Sequence, residues 1–233
     1  MFLTEKYIRT KNLVIFMKIS YFGERNLIKK VANATKIFSS GVIKGIGDDA
    51  AVVKFNNKYD LLLTTDTLVE DDHFNLAWFT PEQIGIKAIE SNVSDIAAMG
   101  GFPKYALISI IIPKNLSVNF IHRLYKGINK SSKKYKINIV GGNSTHGNKI
   151  TVTISLIGFV DKKNLCLRSD AKTSDSILVT GNLGSSRAGL QLLRHNKSRE
   201  NQSSITSIQD HDFNWQSLLQ KMESTPWKIY LTV

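Results

Sequence analysis

The chain predicts a mixed α/β (α+β) fold, a sheet with helices packed on it, on three observations. Two β-prone runs at 50–55 and 59–65 flank the polar tripeptide Asn56-Asn57-Lys58, which favours a hairpin. Thr80-Pro81-Glu82-Gln83 opens an amphipathic helix with an N-cap, a proline at the first helical position and a capping-box glutamine. A near-continuous apolar run at 105–112 and an alternating run at 151–160 then bracket a further helical pattern. Strand and helix alternate without a repeating unit, which argues for layered sheet and helices rather than a repeat protein. With 233 residues, 42% of them hydrophobic and 21% charged, the chain has apolar residues for one substantial core and part of a second.

Residues 1–16 read as an extension, with Met17 as an alternative start, and a helix is expected over 26–38. In the hairpin, pairing Phe55 with Tyr59 makes each pair sum to 114, so Asp49 falls opposite Thr65 and Asp48 opposite Asp66. Like charges directly opposed destabilise a sheet. A bound Mg²⁺, which takes hard oxygen ligands, would offset the repulsion; the alternative is a solvated hairpin end whose acids merely avoid the core. Ten of the 19 acids of this basic chain lie between 48 and 95, which favours the cation site.

In the capped helix, Ile86, Ile89, Val93 and Ile96 form the expected buried stripe, and Gly100-Gly101 ends it. Asp95 falls off that stripe and is free to face the acidic end of the hairpin. After the strand at 105–112, stopped by Pro113, Ser117 caps a helix carrying Phe120, Leu124 and Ile128 on one face. A short buried strand is expected at 137–140, leading into Gly141-Gly142-Asn143-Ser144-Thr145, and a half-buried one at 151–160.

Beyond Val160 the character changes. A strand is expected at 177–180, then a turn, Gly181-Asn182-Leu183-Gly184-Ser185, into a helix through about Leu193. That turn matches neither the P-loop nor the dinucleotide fingerprint. From His195 the composition turns to Asn, Ser, Gln and Asp. The domain reading is therefore an extension at 1–21, a domain at 22–160, and at 161–233 the start of an incomplete second domain with a divergent tail.

Composition excludes other classes. Cys166 is the single cysteine, so no disulfide forms within the chain. No run approaches the ~18 apolar residues of a membrane span, and a soluble, cytoplasmic protein is expected. The net charge of +12 invites a nucleic-acid reading, because Lys114, Arg123, Lys126, Lys130, Lys133, Lys134, Lys136 and Lys149 occur in a segment without acids. No aromatic platform, zinc-ligand spacing or helix-turn-helix pattern accompanies them, and the stripe reads better as a solvated helix face.

Five segments taken in order, Gly45-Ile46-Gly47-Asp48-Asp49-Ala50-Ala51-Val52, Thr65-Asp66-Thr67-Leu68-Val69-Glu70 with His73-Phe74, Asn92-Val93-Ser94-Asp95-Ile96-Ala97-Ala98-Met99-Gly100, Gly141-Gly142 and Arg168-Ser169, resemble the thiamine-monophosphate kinases. That family is grouped with aminoimidazole ribonucleotide synthetase and selenophosphate synthetase, and the likeness covers about residues 22–193. The resemblance implies an aminoimidazole ribonucleotide synthetase N-terminal-like domain and ATP-dependent phosphorylation of thiamine monophosphate. It implies Asp49, Thr64, Thr65, Asp66, Asp95 and Asn143 as Mg²⁺ ligands and His73 as a substrate contact. Gly142, Asn143, Arg168 and Tyr125 would contact ATP, with Arg168 also catalytic, and a homodimer would form through this domain. Another ATP-dependent enzyme of the superfamily and a non-catalytic Mg-ATP-binding or dimerising remnant are the alternatives.

The chain departs from the pattern in two places. Asn143 stands where the family usually carries Asp, and the Ser-Asp-Gly-Leu and Gly-Gly-Glu-Asp segments of the C-terminal domain are absent. A truncated copy is expected, active where a separate chain supplies those segments.

Overall fold

The computed structural model describes residues 19–177 and 184–196. Two helices, α1 (Ile19–Phe22) and α2 (Glu24–Ala34), precede the sheet. The expected helix at 26–38 thus starts and ends earlier, as Thr35 leaves helical geometry for an extended backbone. Strands β1 (Val42–Lys44), β2 (Ala51–Lys54) and β3 (Tyr59–Val69) follow. Asn56 makes the turn between the last two, its Oδ1 accepting from the backbone N–H of Lys58 and of Tyr59 at 2.9 and 2.8 Å. The register Ala51 with Leu63 through Lys54 with Asp60 keeps the sum of 114.

Helix α3 (Pro81–Ala98) carries the expected capping box, the Thr80 hydroxyl accepting from Gln83 N–H while the Gln83 side chain accepts from Thr80 N–H. Gly100, at φ 76°, turns the chain out of it. The buried face is Ile84, Ala88, Ile89, Val93 and Ile96, so Ile86 of the expected stripe lies at its half-buried rim. Strand β4 (Phe102–Ile112), helix α4 (Val118–Tyr135) and strand β5 (Asn138–His146) form a parallel crossover, and β6 (Thr151–Asp161) returns antiparallel. The sheet order is β1-β2-β3-β6-β4-β5. A parallel pair needs a crossover of this length, which α4 supplies.

Strand β5 differs from its expectation. It runs to His146 and is mostly exposed rather than a short buried segment, because it is the outermost strand. Two 3₁₀ turns, Lys162–Asn164 and Arg168–Asp170, follow β6, and α5 (Ser185–Asn196) closes the described chain. The expected strand at 177–180 lies outside the described residues except for Ile177, which is exposed coil, and the turn at 181–183 lies outside them entirely.

The core lies between one face of the sheet and the pair α3 and α4. Even-numbered residues of β3, of β6 and of β4 from Ala106 onward point into it: Leu62, Ile108, Ile154 and Leu156 are fully buried against Ile89, Ile96, Leu124 and Ile128. Burying each such side chain contributes about 1.5–3 kcal/mol. The other face is open and partly apolar, with Leu63, Tyr105, Leu107, Phe102 and Phe55 exposed. Phe159 meets Phe55 edge-on at 5.3 Å and stacks on Phe102 at 6.1 Å there.

Helices α3 and α4 approach closely where each carries a glycine. A Cβ on Gly127 would lie 1.9 Å from the Glu82 carbonyl oxygen, and one on Gly85 2.2 Å from that of Leu124. Arg123 clamps the same crossing, its Nε and Nη2 donating to the Glu82 carboxylate at 2.8 and 2.9 Å. Gly127→Ala is expected to force the helices apart and lower stability by about 1–3 kcal/mol. Urea unfolding would show a lower midpoint at unchanged slope, whereas a wild-type midpoint would contradict the close crossing.

Candidate functional site

Pleat alternation on β3 sends Leu62, Thr64, Asp66 and Leu68 to the helix-covered side, with Thr64 paired to Leu156 and Asp66 to Ile154. Leu62 and Leu68 are buried, so the polar pair between them marks where the sheet opens towards the site. Asp95, off the apolar face of α3, meets them: Thr64 Oγ1 donates to Asp95 Oδ2 at 2.6 Å. Burial pushes the Asp95 carboxyl up to about 6; the Thr64 hydrogen bond opposes this, and the nearby Asp66 and Asp49 reinforce it. The Asp95 carboxyl is thus raised first by its burial and then by its acidic neighbours, with the Arg168 charge acting against them.

Asp48 and Asp49 occupy the bend before β2. Since β2 begins at Ala51, the expected pairing of Asp48 with Asp66 and of Asp49 with Thr65 does not form. Asp48 turns the other way: its side chain is fully buried and takes the backbone N–H of Arg168 at 3.2 Å, with Lys44 Nζ 3.6 Å away. Arg168 then reaches Asp49, donating Nε to Oδ2 at 3.3 Å and Nη2 to Oδ1. Asp48 and Lys44 are thus functional neighbours that strand pairing missed. The Asp48-Asp49 doublet was a visible signal, but its partner lies 120 residues away.

The other candidate residues are placed elsewhere. Thr65 points to the open face, where its hydroxyl meets Ser155 Oγ at 3.1 Å. Asn143 pairs with Ser109 on β4, and Gly142 lies in the row Asp66, Ile154, Ile108, Gly142. Three strand spacings, about 14 Å, separate that edge from Asp66. Within one subunit, then, Asn143 does not share an ion with Asp66. Gly142 also has a packing reason, because a Cβ there would lie 1.8 Å from the Ile108 carbonyl oxygen. Tyr125 packs half-buried against the core from α4, and burial pushes its phenol up. His73 follows β3 in an exposed turn. Its Nδ1 accepts from Val69 N–H at 3.2 Å, leaving Nε2 to carry the ring proton, and Lys87 Nζ donates to its carbonyl at 2.6 Å.

Among the described residues no three His, Cys, Asp or Glu side chains are drawn together as a finished metal cage. The donor set of Asp49, Asp66, Asp95 and the Thr64 hydroxyl nonetheless fits a hard cation such as Mg²⁺, which prefers a few carboxylates and completes its shell with water or phosphate oxygens. The half-buried Asp95 carboxylate, held by the Thr64 hydroxyl with Asp66 and Asp49 close enough to act on it, is the observation in favour. The basic stripe is partly committed elsewhere: Arg123, Lys134 and Lys149 face Glu82, Glu90 and Asp71.

Residues 47–160 match the N-terminal domain model of AIR synthase related proteins. The chain is 41% identical over 189 residues to the thiamine-monophosphate kinase of Bacillus subtilis, covering 81% of this chain and 58% of that one. It is also 41% identical over 194 residues to the Aquifex aeolicus enzyme, covering 83% and 59%. Among solved structures, AaThiL complexed with AMPPCP and TMP superposes with a TM-score of 0.70 at 36% identity, covering 91% of this chain and 62% of that chain. The chain therefore spans somewhat more than half the length of the curated relatives it matches.

Asp95 yields a pH test. Its folded value of about 6 lies above the ordinary 3.8, so its contribution to stability is fully present below 3.8 and is lost as pH rises through about 6. Asp95→Asn is expected to stabilise the metal-free protein at pH 7 by about 1 kcal/mol, solvent access keeping the effect small. Below pH 3.8 the gain should vanish. Thermal unfolding of both proteins across this range checks it, and parallel profiles would contradict the assigned burial.

Proposed function

We propose that the chain, whose residues 47–160 match the N-terminal domain of AIR synthase related proteins, forms the Mg²⁺- and nucleotide-binding part of an enzyme converting thiamine monophosphate and ATP to thiamine diphosphate and ADP. The observations that support this reading are the Thr64 hydrogen bond to Asp95, the Arg168 guanidinium on Asp49, and the nearness of Asp49 and Asp66 to the Asp95 carboxyl. The acceptor in such a reaction is a phosphate oxygen, already anionic, so the site needs no strong general base. It needs two highly charged groups held in line with their charge offset. Asp49, Asp66, Asp95 and Thr64 would hold Mg²⁺, with Thr65 as a backbone neighbour, and bound Mg²⁺ supplies charge neutralisation on the phosphates. Arg168 offers a planar fork that binds phosphate bidentately. His73 presents Nε2–H to the thiamine monophosphate, while Gly142, Asn143 and Tyr125 contact ATP from the other edge of the sheet.

A homodimer through the open sheet face belongs to the same reading. The row Leu63, Ile157, Tyr105 and the neighbouring Leu107 leave apolar surface uncovered on one subunit. A cytoplasmic location is proposed with it, in keeping with the lone Cys166 and with the lack, among the described residues, of a helix long and apolar enough to cross a membrane.

The test is an assay of the full chain, started at Met1 and at Met17, with Mg²⁺, ATP and thiamine monophosphate, following thiamine diphosphate by chromatography. Product above the no-enzyme control supports the kinase. Retained Mg²⁺-ATP binding without product identifies a binding module, or one half of an enzyme whose remaining segments come from another chain. Asp66→Ala should weaken Mg²⁺-dependent nucleotide binding by more than about tenfold, the loss of a charged ligand costing over about 1.4 kcal/mol. Unchanged affinity would overturn the site assignment. Leu107→Asp is expected to shift the protein to monomer in sedimentation, and an undisturbed dimer would overturn the sheet-face interface.

A further inference from the structure

Arg168 is held by its backbone on one carboxylate and by its side chain chiefly on another. The backbone N–H is anchored on Asp48, whose carboxylate is fully buried and also faces Lys44. The side chain is 65% exposed and grips Asp49 through both Nε and Nη2, with Nε also 3.8 Å from Asp48 Oδ1. The Nε/Nη2 edge that holds Asp49 suits a carboxylate and a phosphate equally well, and that edge cannot hold both at once. The carboxylate it occupies is one of those proposed for the metal. Asp48 keeps Lys44 as a partner if Arg168 turns away, so the pivot survives the movement.

We propose that Arg168 is an exchangeable counter-ion: in the absence of nucleotide it neutralises Asp49, and an incoming phosphate draws it off, releasing that carboxylate to the cation. This rests on the Mg²⁺-nucleotide reading of the site. The consequence is positive coupling, since phosphate binding removes the internal competitor of the metal, and metal binding frees the arginine for phosphate; linkage makes the two effects equal. The local charge supports it. Asp48, Asp49, Asp66 and Asp95 are faced by Lys44 and Arg168, so moving Arg168 onto a phosphate leaves a net negative pocket for a divalent ion.

The probe is Mn²⁺ alone, titrated into the full chain and followed by the paramagnetic resonance of the free ion. Arg168→Met should bind Mn²⁺ about fivefold more tightly than wild type, in line with an exposed ion pair. Arg168→Lys, which keeps the charge but loses the fork, should fall between them. Sulfate, as a phosphate mimic at constant ionic strength, should tighten Mn²⁺ binding to wild type and leave Arg168→Met unchanged. Equal or weaker Mn²⁺ binding by Arg168→Met, with Asp66→Asn still weakening it, would overturn the exchange while leaving the metal site intact. Mn²⁺ binding untouched by Asp66→Asn would overturn both.

Discussion

The site depends on one electrostatic constraint: several carboxylates are held together at the edge of an apolar core, with too little positive charge to neutralise them. The Asp48 side chain is fully buried and Asp95 is half-buried, and desolvation disfavours the ionised form of Asp95. The fold meets the constraint in part. Lys44 and the Arg168 backbone compensate Asp48, the Thr64 hydroxyl compensates Asp95, and the Arg168 side chain compensates Asp49. What is left over is a negative pocket with hard oxygen donors, which is the chemical description of a site for a divalent cation and the phosphates it escorts.

The scaffold holds those groups on rigid elements. Asp66 and Thr64 stand on a strand paired with β6 along its whole length, and Asp95 stands in the last turn of a helix capped at Thr80. The Gly85 and Gly127 contact seats that helix against α4, and its apolar face seats it on the sheet. The mobile component is a single side chain, Arg168, on a short 3₁₀ turn. A site of fixed carboxylates and one movable cation suits a reaction whose catalytic demand is charge placement rather than proton transfer.

What was legible in the sequence is what local rules govern. The Asn56 turn specified the hairpin register, because the side-chain amide oxygen accepts from the next two backbone donors but one and fixes the loop length. The capping box specified the start of α3, and the position of Asp95 off its apolar stripe pointed the carboxylate at the hairpin. Non-local facts stayed hidden. Strand order placed β5 at the edge of the sheet, so Ile137 to Val140, apolar enough to be read as buried, leads into an exposed strand, and Asn143 ends up far from Asp66. The Asp48 to Arg168 contact closes a long stretch of chain, and nothing near either residue announces it.

The central claim is that Asp49, Asp66 and Asp95 bind one divalent cation together with nucleotide phosphate. Crystals grown with Mn²⁺ and AMPPCP test it directly by anomalous scattering at the manganese edge. The account predicts a peak within about 2.0–2.3 Å of oxygens from these carboxylates, with Arg168 turned from Asp49 onto phosphate. A peak placed elsewhere, or nucleotide bound with Arg168 still gripping Asp49, would contradict it.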